Sequence, residues 1–350
     1  MLDMNALLQE ASKEGASDVH ICVGISPRFR IHGELKPTHF PKMTASDTLE
    51  ILLGLMTPEQ REQFEREGEI DLSVSIPRAG RYRVNAYKQR GSITVSLRIV
   101  DMQIPDPKAL QIPEEVMSLC DSPRGLILIT GPSGCGKSTV IASMIDRINS
   151  TRACNIITLE DPIEYLHPHK MSIVNQREIG LDANDYQSAV SAALRQDPDV
   201  LHIGQLSQAE VAGLSLMAAE TGRLVFTSMY SQGAVETVGN FIDLFPEQRR
   251  QSARNRMANA LKATVSRQLI PSVDGDRVPV YEILLVDNQI REQIRQGNIY
   301  GLNALMSRGH DKGMVTMDEA LEKLFREGRI SQEEAIRAAL DQEAMALRIS

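Results

Sequence analysis

The strongest chemical pattern in the chain is Gly131-Pro132-Ser133-Gly134-Cys135-Gly136-Lys137-Ser138. It fits G-x-x-x-x-G-K-[ST], a loop that wraps phosphate groups. Its glycines let backbone N–H groups turn inward around phosphate oxygens with no Cβ in the way. The start of a following helix adds positive potential. Lys137 then reaches the β- and γ-phosphates as a mobile point charge, Ser138 offers a hydroxyl to Mg²⁺, and Thr139 is expected to bind the nucleotide with the loop. Cys135 lies inside the loop, where a helix N-terminus can lower a thiol pKa. Such a thiol would make nucleotide binding redox-sensitive. The plainer reading is a small residue that fits.

A second cluster follows about twenty residues on, in Leu159-Glu160-Asp161-Pro162-Ile163-Glu164. Carboxylates at the carboxyl end of a strand beside the phosphate-loop strand face the ligand crevice, where they meet a metal or position water. Pro162 turns the chain after the strand. A solvated acidic turn is the alternative.

These groups need elements to hold them. Leu126–Thr130 reads as a buried strand entering the loop, and Val140, Ile141, Met144, Ile145 and Ile148 as one face of a helix leaving it. Further buried strands are expected at Asn155–Leu159, Val200–Ile203, Leu224–Ser228 and Val280–Val286. Strands alternating with helices predict an α/β domain on a mostly parallel sheet over 113–288. Residues 289–350 read as a helical region, with amphipathic stretches at Met317–Glu327 and Gln332–Met345, a break at Gly328 and a cap at Ser331. Residues 1–100 read as a small α+β domain. Its helices are expected at Leu2–Lys13 and Ala45–Met56, and its strands at Asp18–Val23, Arg28–Leu35, Asp71–Ile76, Arg81–Tyr87 and Ser92–Val100. Pro105 and Pro107 mark a linker over 101–112.

The bulk numbers agree with two or more domains. The chain has 350 residues, of which 42% are hydrophobic and 24% charged. Its formal charge of −8 argues against a nucleic-acid partner. The longest apolar runs fall short of the roughly 18 residues needed to span a bilayer. The amino terminus lacks the pattern of a secretory signal, so a cytoplasmic location is expected. Cys22, Cys120, Cys135 and Cys154 have no metal-binding spacing and read as reduced thiols.

The motifs together resemble the secretion ATPase superfamily, and most closely its PilT family of pilus-retraction ATPases. The resemblance rests on Gly131–Ser138, on Ile157-Thr158-Leu159-Glu160-Asp161-Pro162-Ile163-Glu164-Tyr165, on Val174-Asn175-Gln176-Arg177-Glu178 and on Ala193-Leu194-Arg195-Gln196-Asp197-Pro198-Asp199. Gly15–His20, Gly80–Ala86 and Ile290–Arg295 extend it over nearly the whole chain. It implies a PAS-like amino-terminal domain, a RecA-like ATPase domain and a C-terminal helical region. It also implies ATP and Mg²⁺, a hexameric ring, and work on a pilus at the cytoplasmic face of the inner membrane through a platform protein. Glu164 would be the general base that orients water, with Glu160 and Asp161 completing the acidic box. Arg81, Arg83 and Arg98 would contact phosphate across subunits, although taken alone they read as surface arginines.

Two boxes depart from that family. The Walker B position should read Gly-Glu and reads Gly204-Gln205, and Leu206-Ser207-Gln208 lacks the family's Arg and Asp. Gln205 can still orient a water or a metal-bound water, but it brings no charge. Arg223 and Tyr230 stand where the family has histidines. His202 falls within the Walker B strand and reads as a core histidine. The implied function is therefore an ATP-driven retraction motor. The alternative is a hydrolysis-impaired ATP-binding paralogue, acting as a regulatory or structural subunit of a mixed ring with an active homologue. A GTPase switch is disfavoured because no Asn-Lys-x-Asp motif occurs, and a helicase is disfavoured by the acidic balance.

Overall fold

The computed structural model describes residues 3–76, 80–100 and 103–350. The expected helix start at Leu2 and the first linker residues, 101 and 102, lie outside the described residues. The chain divides into two compact units, 1–102 and 103–350.

The first unit runs α1 (Met4–Lys13), β1 (Asp18–Ile21), β2 (Arg28–Ile31), β3 (Glu34–Pro37), α2 (Ala45–Leu55), α3 (Pro58–Glu67), β4 (Glu69–Ile76), β5 (Gly80–Gln89) and β6 (Ser92–Ile99). Its six strands form an antiparallel sheet in the order β3-β2-β1-β6-β5-β4. Leu7, Leu8, Leu52, Phe64, Tyr82 and Val84 belong to its core. The stretch 28–35, expected as one strand, is a hairpin. His32 and Gly33 have φ of 49° and 84°, the left-handed pair that a two-residue turn requires. Helix α3 has no counterpart in the sequence reading. Its ten residues bury only Phe64, so apolar periodicity is nearly silent there. Caps define it instead: Thr57 and Gln60 form a capping box, Pro58 occupies the first turn, and Gly68 ends it at φ 81°.

The second unit runs α4 (Glu114–Ser118), β7 (Gly125–Thr130), α5 (Lys137–Thr151), β8 (Asn155–Glu160), β9 (Ile173–Glu178), α6 (Tyr186–Ala193), β10 (Val200–Ile203), α7 (Ala209–Glu220), β11 (Leu224–Met229), α8 (Ala234–Asp243), α9 (Glu247–Ala260), β12 (Leu261–Pro271) and β13 (Arg277–Leu285). Helices α10 (Asn288–Gln296), α11 (Tyr300–Met306), α12 (Met317–Arg326), α13 (Gln332–Ala338) and α14 (Gln342–Arg348) follow. The sheet order is β13-β12-β7-β11-β10-β8-β9, parallel throughout except for β13. Strand β7 is buried along its whole length and feeds both cores. Leu126 and Leu128 pack with α6 to α9, whereas Ile127 and Ile129 pack with α5, as a period of two demands.

This order corrects one expectation. The acidic-box strand β8 is not beside β7, because β11 and β10 lie between them. The carboxylates still reach the phosphate loop because all four strands are parallel and open at the same edge. Strands β9 and β12 were not foreseen. The expected helix 332–345 is two helices, and Asp341 caps the second by accepting from the Ala344 N–H. Residues 103–112 are packed within this unit: Ile112 is buried, and the Pro105 carbonyl accepts from Ser143 Oγ on α5. Helix α10 docks through Ile290 and Ile294, one turn apart, into the same core as β7. Helices α12 to α14 pack on Ile270, Val278 and Val280 at the outer β12–β13 edge.

Candidate nucleotide site

The phosphate loop leaves β7 at Gly131 and enters α5 at Lys137. Glycines are required here on two grounds. Gly131, Gly134 and Gly136 have φ of 142°, 74° and 88°, values that side-chain-bearing residues rarely adopt. A Cβ on Gly131 would also lie 2.2 Å from the Arg267 carbonyl oxygen, and one on Gly136 would lie 1.9 Å from Arg267 Nη1. At Gly134 the space is open, which leaves the crest of the loop clear for a ligand.

Arg267, only 4% exposed on β12, is the group pressed against the loop from below. Its Nη1 donates to the carbonyl oxygens of Cys135 at 2.6 Å and Gly136 at 3.2 Å. Holding those carbonyls inward turns the adjoining N–H groups outward, toward the space where phosphate would lie. Its guanidinium carbon sits 5.5 Å from the centre of the Tyr281 ring. Sequence reasoning missed Arg267 because it missed β12. The signal was present: Ala263, Val265, Arg267 and Leu269 alternate along the strand beyond the bulge that separates Leu261 from Ala263, and the arginine interrupts an apolar series.

Lys137 is buried. Its ammonium donates to the carbonyl oxygens of Gly131 at 3.0 Å and Pro132 at 2.9 Å, and it lies 4.1 Å over the Tyr230 ring. Burial lowers its pKa, and the neighbouring Cys135 and Glu164 oppose that shift. Ser138 Oγ donates to Glu164 Oε1 at 3.1 Å. Thr139 Oγ1 and the Tyr165 hydroxyl are 3.0 Å apart. Of the two readings of Cys135, the structure favours the plainer one, a small residue that fits. Desolvation pushes its thiol above the ordinary value and outweighs the nearby Lys137 and Arg267 charges. The thiol is packed against Gly131, not poised to react.

A cleft of about 350 Å³ opens above the loop. Ser133, Gly134, Gly136, Lys137, Ser138 and Thr139 line one side, and Glu160, Asp161, Pro162 and Glu164 another. Gln205 and Tyr230 close it from the ends of β10 and β11. The structure therefore brings together the loop, the acidic box and the Walker B position. Glu160 accepts from Thr158 Oγ1 at 2.6 Å and Gln176 Nε2 at 3.1 Å, while desolvation pushes its carboxyl pKa up. Tyr186, also on the cleft wall, was not foreseen. A Cβ on Gly204 would lie 2.7 Å from its hydroxyl, so glycine is needed there to let the tyrosine in.

Arg223 is not in this site. It precedes β11, whereas the cleft lies beyond Met229 at the other end of that strand. Arg81, Arg83 and Arg98 belong to the first unit. There Arg83 faces Arg98 across β5 and β6, and Asp18 is in register with both Arg98 and Arg30. Arg98 Nε donates to Asp18 Oδ1 at 2.9 Å, and Arg81 Nη1 donates to Ser75 Oγ at 3.3 Å. These arginines lie on the face of β5 and β6 opposite Tyr82, Val84 and Leu97, and Arg83 and Arg98 are exposed.

The residues fit a phosphate ligand with a hard cation. Loop N–H groups turned toward the cleft, a helix start and one ammonium suit the phosphates. Ser138, Gln205 and the carboxylates are oxygen donors. No group of three or more His, Cys, Asp or Glu side chains among the described residues forms a metal cage. Mg²⁺ at a phosphate needs none, since one or two protein oxygens, waters and the phosphate itself suffice. Among the described residues, no helix is long and apolar enough to cross a membrane.

Comparison with known proteins agrees with this geometry. The family model described as type II/IV secretion system protein matches residues 1–277. The twitching motility protein of Neisseria gonorrhoeae is 37% identical over 321 residues, which cover 91% of this chain and 86% of that protein. The type IV pilus retraction ATPase PilT of Pseudomonas aeruginosa is 35% identical over 334 residues, 95% of this chain and 97% of that one. The crystal structure of the pilus retraction motor PilT with bound ADP superimposes with a TM-score of 0.89 at 40% identity, covering 98% of this chain and 99% of that one. The chain belongs to the type II/IV secretion system protein family and, within it, to the PilT-type P-loop ATPases.

Proposed function

We propose that this chain is a cytoplasmic ATP-driven motor that assembles as a ring and retracts a pilus, engaging a platform protein at the inner membrane. The observation that carries the reading is the Ser138–Glu164 hydrogen bond, which joins the phosphate loop to the acidic box within one cleft. Gly131 to Thr139 hold the nucleotide phosphates. Lys137 leaves its own loop carbonyls to neutralise them, and the N–H groups held outward by Arg267 grip their oxygens. Ser138 and Gln205 would hold Mg²⁺ through their side-chain oxygens, and Mg²⁺ would supply charge neutralisation at the phosphates. Glu164, released from Ser138, orients the attacking water. Glu160, backed by Thr158 and Gln176, borders the same space. Arg81, Arg83 and Arg98 form a basic face that would meet phosphate from a neighbouring subunit, where a planar guanidinium pairs well with phosphate oxygens.

Steady-state ATPase of the purified chain tests this. Turnover abolished by Glu164→Gln supports the motor, and no turnover above a Lys137→Ala background sinks it. Native mass measurement with ATP and Mg²⁺ should show a ring. A strictly monomeric chain would defeat the role given to the three arginines.

A further inference from the structure

The floor of the cleft holds a residue that the reading above leaves unused. His202, in the middle portion of β10, is 5% exposed and yet lines the cleft. Neither Nδ1 nor Nε2 has a hydrogen-bond partner among the described residues. A neutral imidazole carries one donor and one acceptor, and buried polar atoms are nearly always bonded to protein or to ordered water. His202 does not behave as the satisfied core histidine that its strand position suggests.

The sheet register says what it faces. His202 pairs with Thr158 on the parallel neighbour β8. Paired residues point to the same side of a sheet, as do residues two apart on one strand. His202, Thr158 and Glu160 therefore share one face, and Glu160 also lines the cleft. Thr158 and Gln176 both donate to Oε1 of Glu160, so its second oxygen receives neither bond. Burial lowers the His202 pKa to about 3, which keeps the ring neutral and able to accept as well as donate. His167, buried on the segment after the acidic box, depresses it further and has its own Nδ1 without a partner among the described residues.

We infer that His202 is a positioning residue of the hydrolytic site, holding an ordered water at the floor of the cleft and through it orienting the Glu160 carboxyl. A water site needs two or more polar partners in a polar pocket, and His202 and Glu160 supply them. The link has a clear purpose in this chain. The Walker B strand ends in an amide at Gln205, and His202 gives that strand a second tie to an acidic-box carboxyl. The inference rests on the hydrolytic reading of the site.

Two measurements test it. A crystal structure of the ADP-bound protein, at a resolution that shows ordered solvent, should place a water within hydrogen-bond reach of both a His202 ring nitrogen and Glu160. A dry floor, or His202 bonded directly to protein, overturns the inference. In kinetics, His202→Leu should lower kcat roughly tenfold to a hundredfold, as for a misplaced catalytic group. It should leave KM and the Kd of a fluorescent ADP analogue within about twofold, because the lost interaction belongs to the reaction and not to binding. His202→Gln, whose amide can hold the same water, should recover most of kcat. Equal loss in both variants, or unchanged kcat in His202→Leu, overturns the inference. Absence of wild-type turnover above Lys137→Ala would defeat the hydrolytic reading instead, and the crystallographic water would then decide His202 by itself.

Discussion

The ammonium of Lys137 lies 4.1 Å over the ring of Tyr230 while it donates to two carbonyls of its own loop. The lysine that should hold phosphate is thus occupied by the protein, and nucleotide must displace it. Tyr230 is 56% exposed, so the contact is a partly solvated cation–π pair worth about 0.5–1 kcal/mol. Tyr230→Leu removes this competitor and should tighten ADP binding about two- to fivefold. Tyr230→Phe keeps the ring and should change little. Titration calorimetry of the two variants checks this. Weaker binding in Tyr230→Leu would mean that the ring serves the nucleotide and not the empty loop.

Arg267 should matter to the loop more than its distance in sequence suggests. Arg267→Met removes donors from two loop carbonyls, and each buried acceptor left unpaired costs about 1–3 kcal/mol. The variant should melt several degrees lower and bind ADP at least about tenfold more weakly. Gly136→Ala should fail more completely, since its new methyl meets the same guanidinium at a backbone angle that alanine resists. Melting curves with and without ADP separate loss of fold from loss of grip.

Gln205 lines the cleft together with Ser138, Glu160 and Glu164. Gln205→Glu returns a charge and a proton acceptor to that position. Turnover should rise, by at least about tenfold if the amide is what limits it, since acid–base roles are typically worth 10²–10⁴ in rate. ADP binding without Mg²⁺ should weaken, because a further carboxylate faces the phosphates. An unchanged ATPase rate would show that the amide is not limiting.

Legibility differed between the loop and its supports. The phosphate loop, the acidic box and Gln205 were readable because their chemistry needs fixed residue types at fixed spacing, and the cleft gathers all of them. The alternation around Arg267 was readable but its role was not, because it acts through the tertiary pairing of β12 with β7, a parallel contact between residues about 135 apart whose partners no local pattern names. The order of β7, β11, β10 and β8 was hidden for the same reason. Helix α3 was hidden for the opposite one: its information lies in Thr57, Gln60 and Gly68 at its ends, not in an apolar stripe. Which end of β11 meets the cleft, and so which of Arg223 and Tyr230 borders it, follows from the strand order and not from the motif.

Glu282 gives the second unit a pH signature. It is buried on β13, where its Oε2 accepts from the Ala234 N–H at the start of α8. Desolvation raises its pKa from 4.5 to about 7, with the Ala234 and Met317 N–H groups opposing and Asp318 and Glu236 reinforcing the shift. The folded protein therefore keeps a proton that the unfolded chain releases between pH 4.5 and about 7. Over that window the native state binds more protons, so stability falls as pH rises, by about 3 kcal/mol in total. His167 and His202 act in the opposite sense. Burial lowers their pKa values to about 4 and about 3, so the unfolded chain takes up protons below pH 6.5 and stability falls with acid. The net curve mixes the two effects, and Glu282→Gln separates them because it keeps an acceptor for Ala234 without the charge. Urea unfolding at pH 5 and pH 8 should show the variant gaining stability over wild type at pH 8 and little or none at pH 5. Equal differences at both values would show that Glu282 is ionised in the native state throughout.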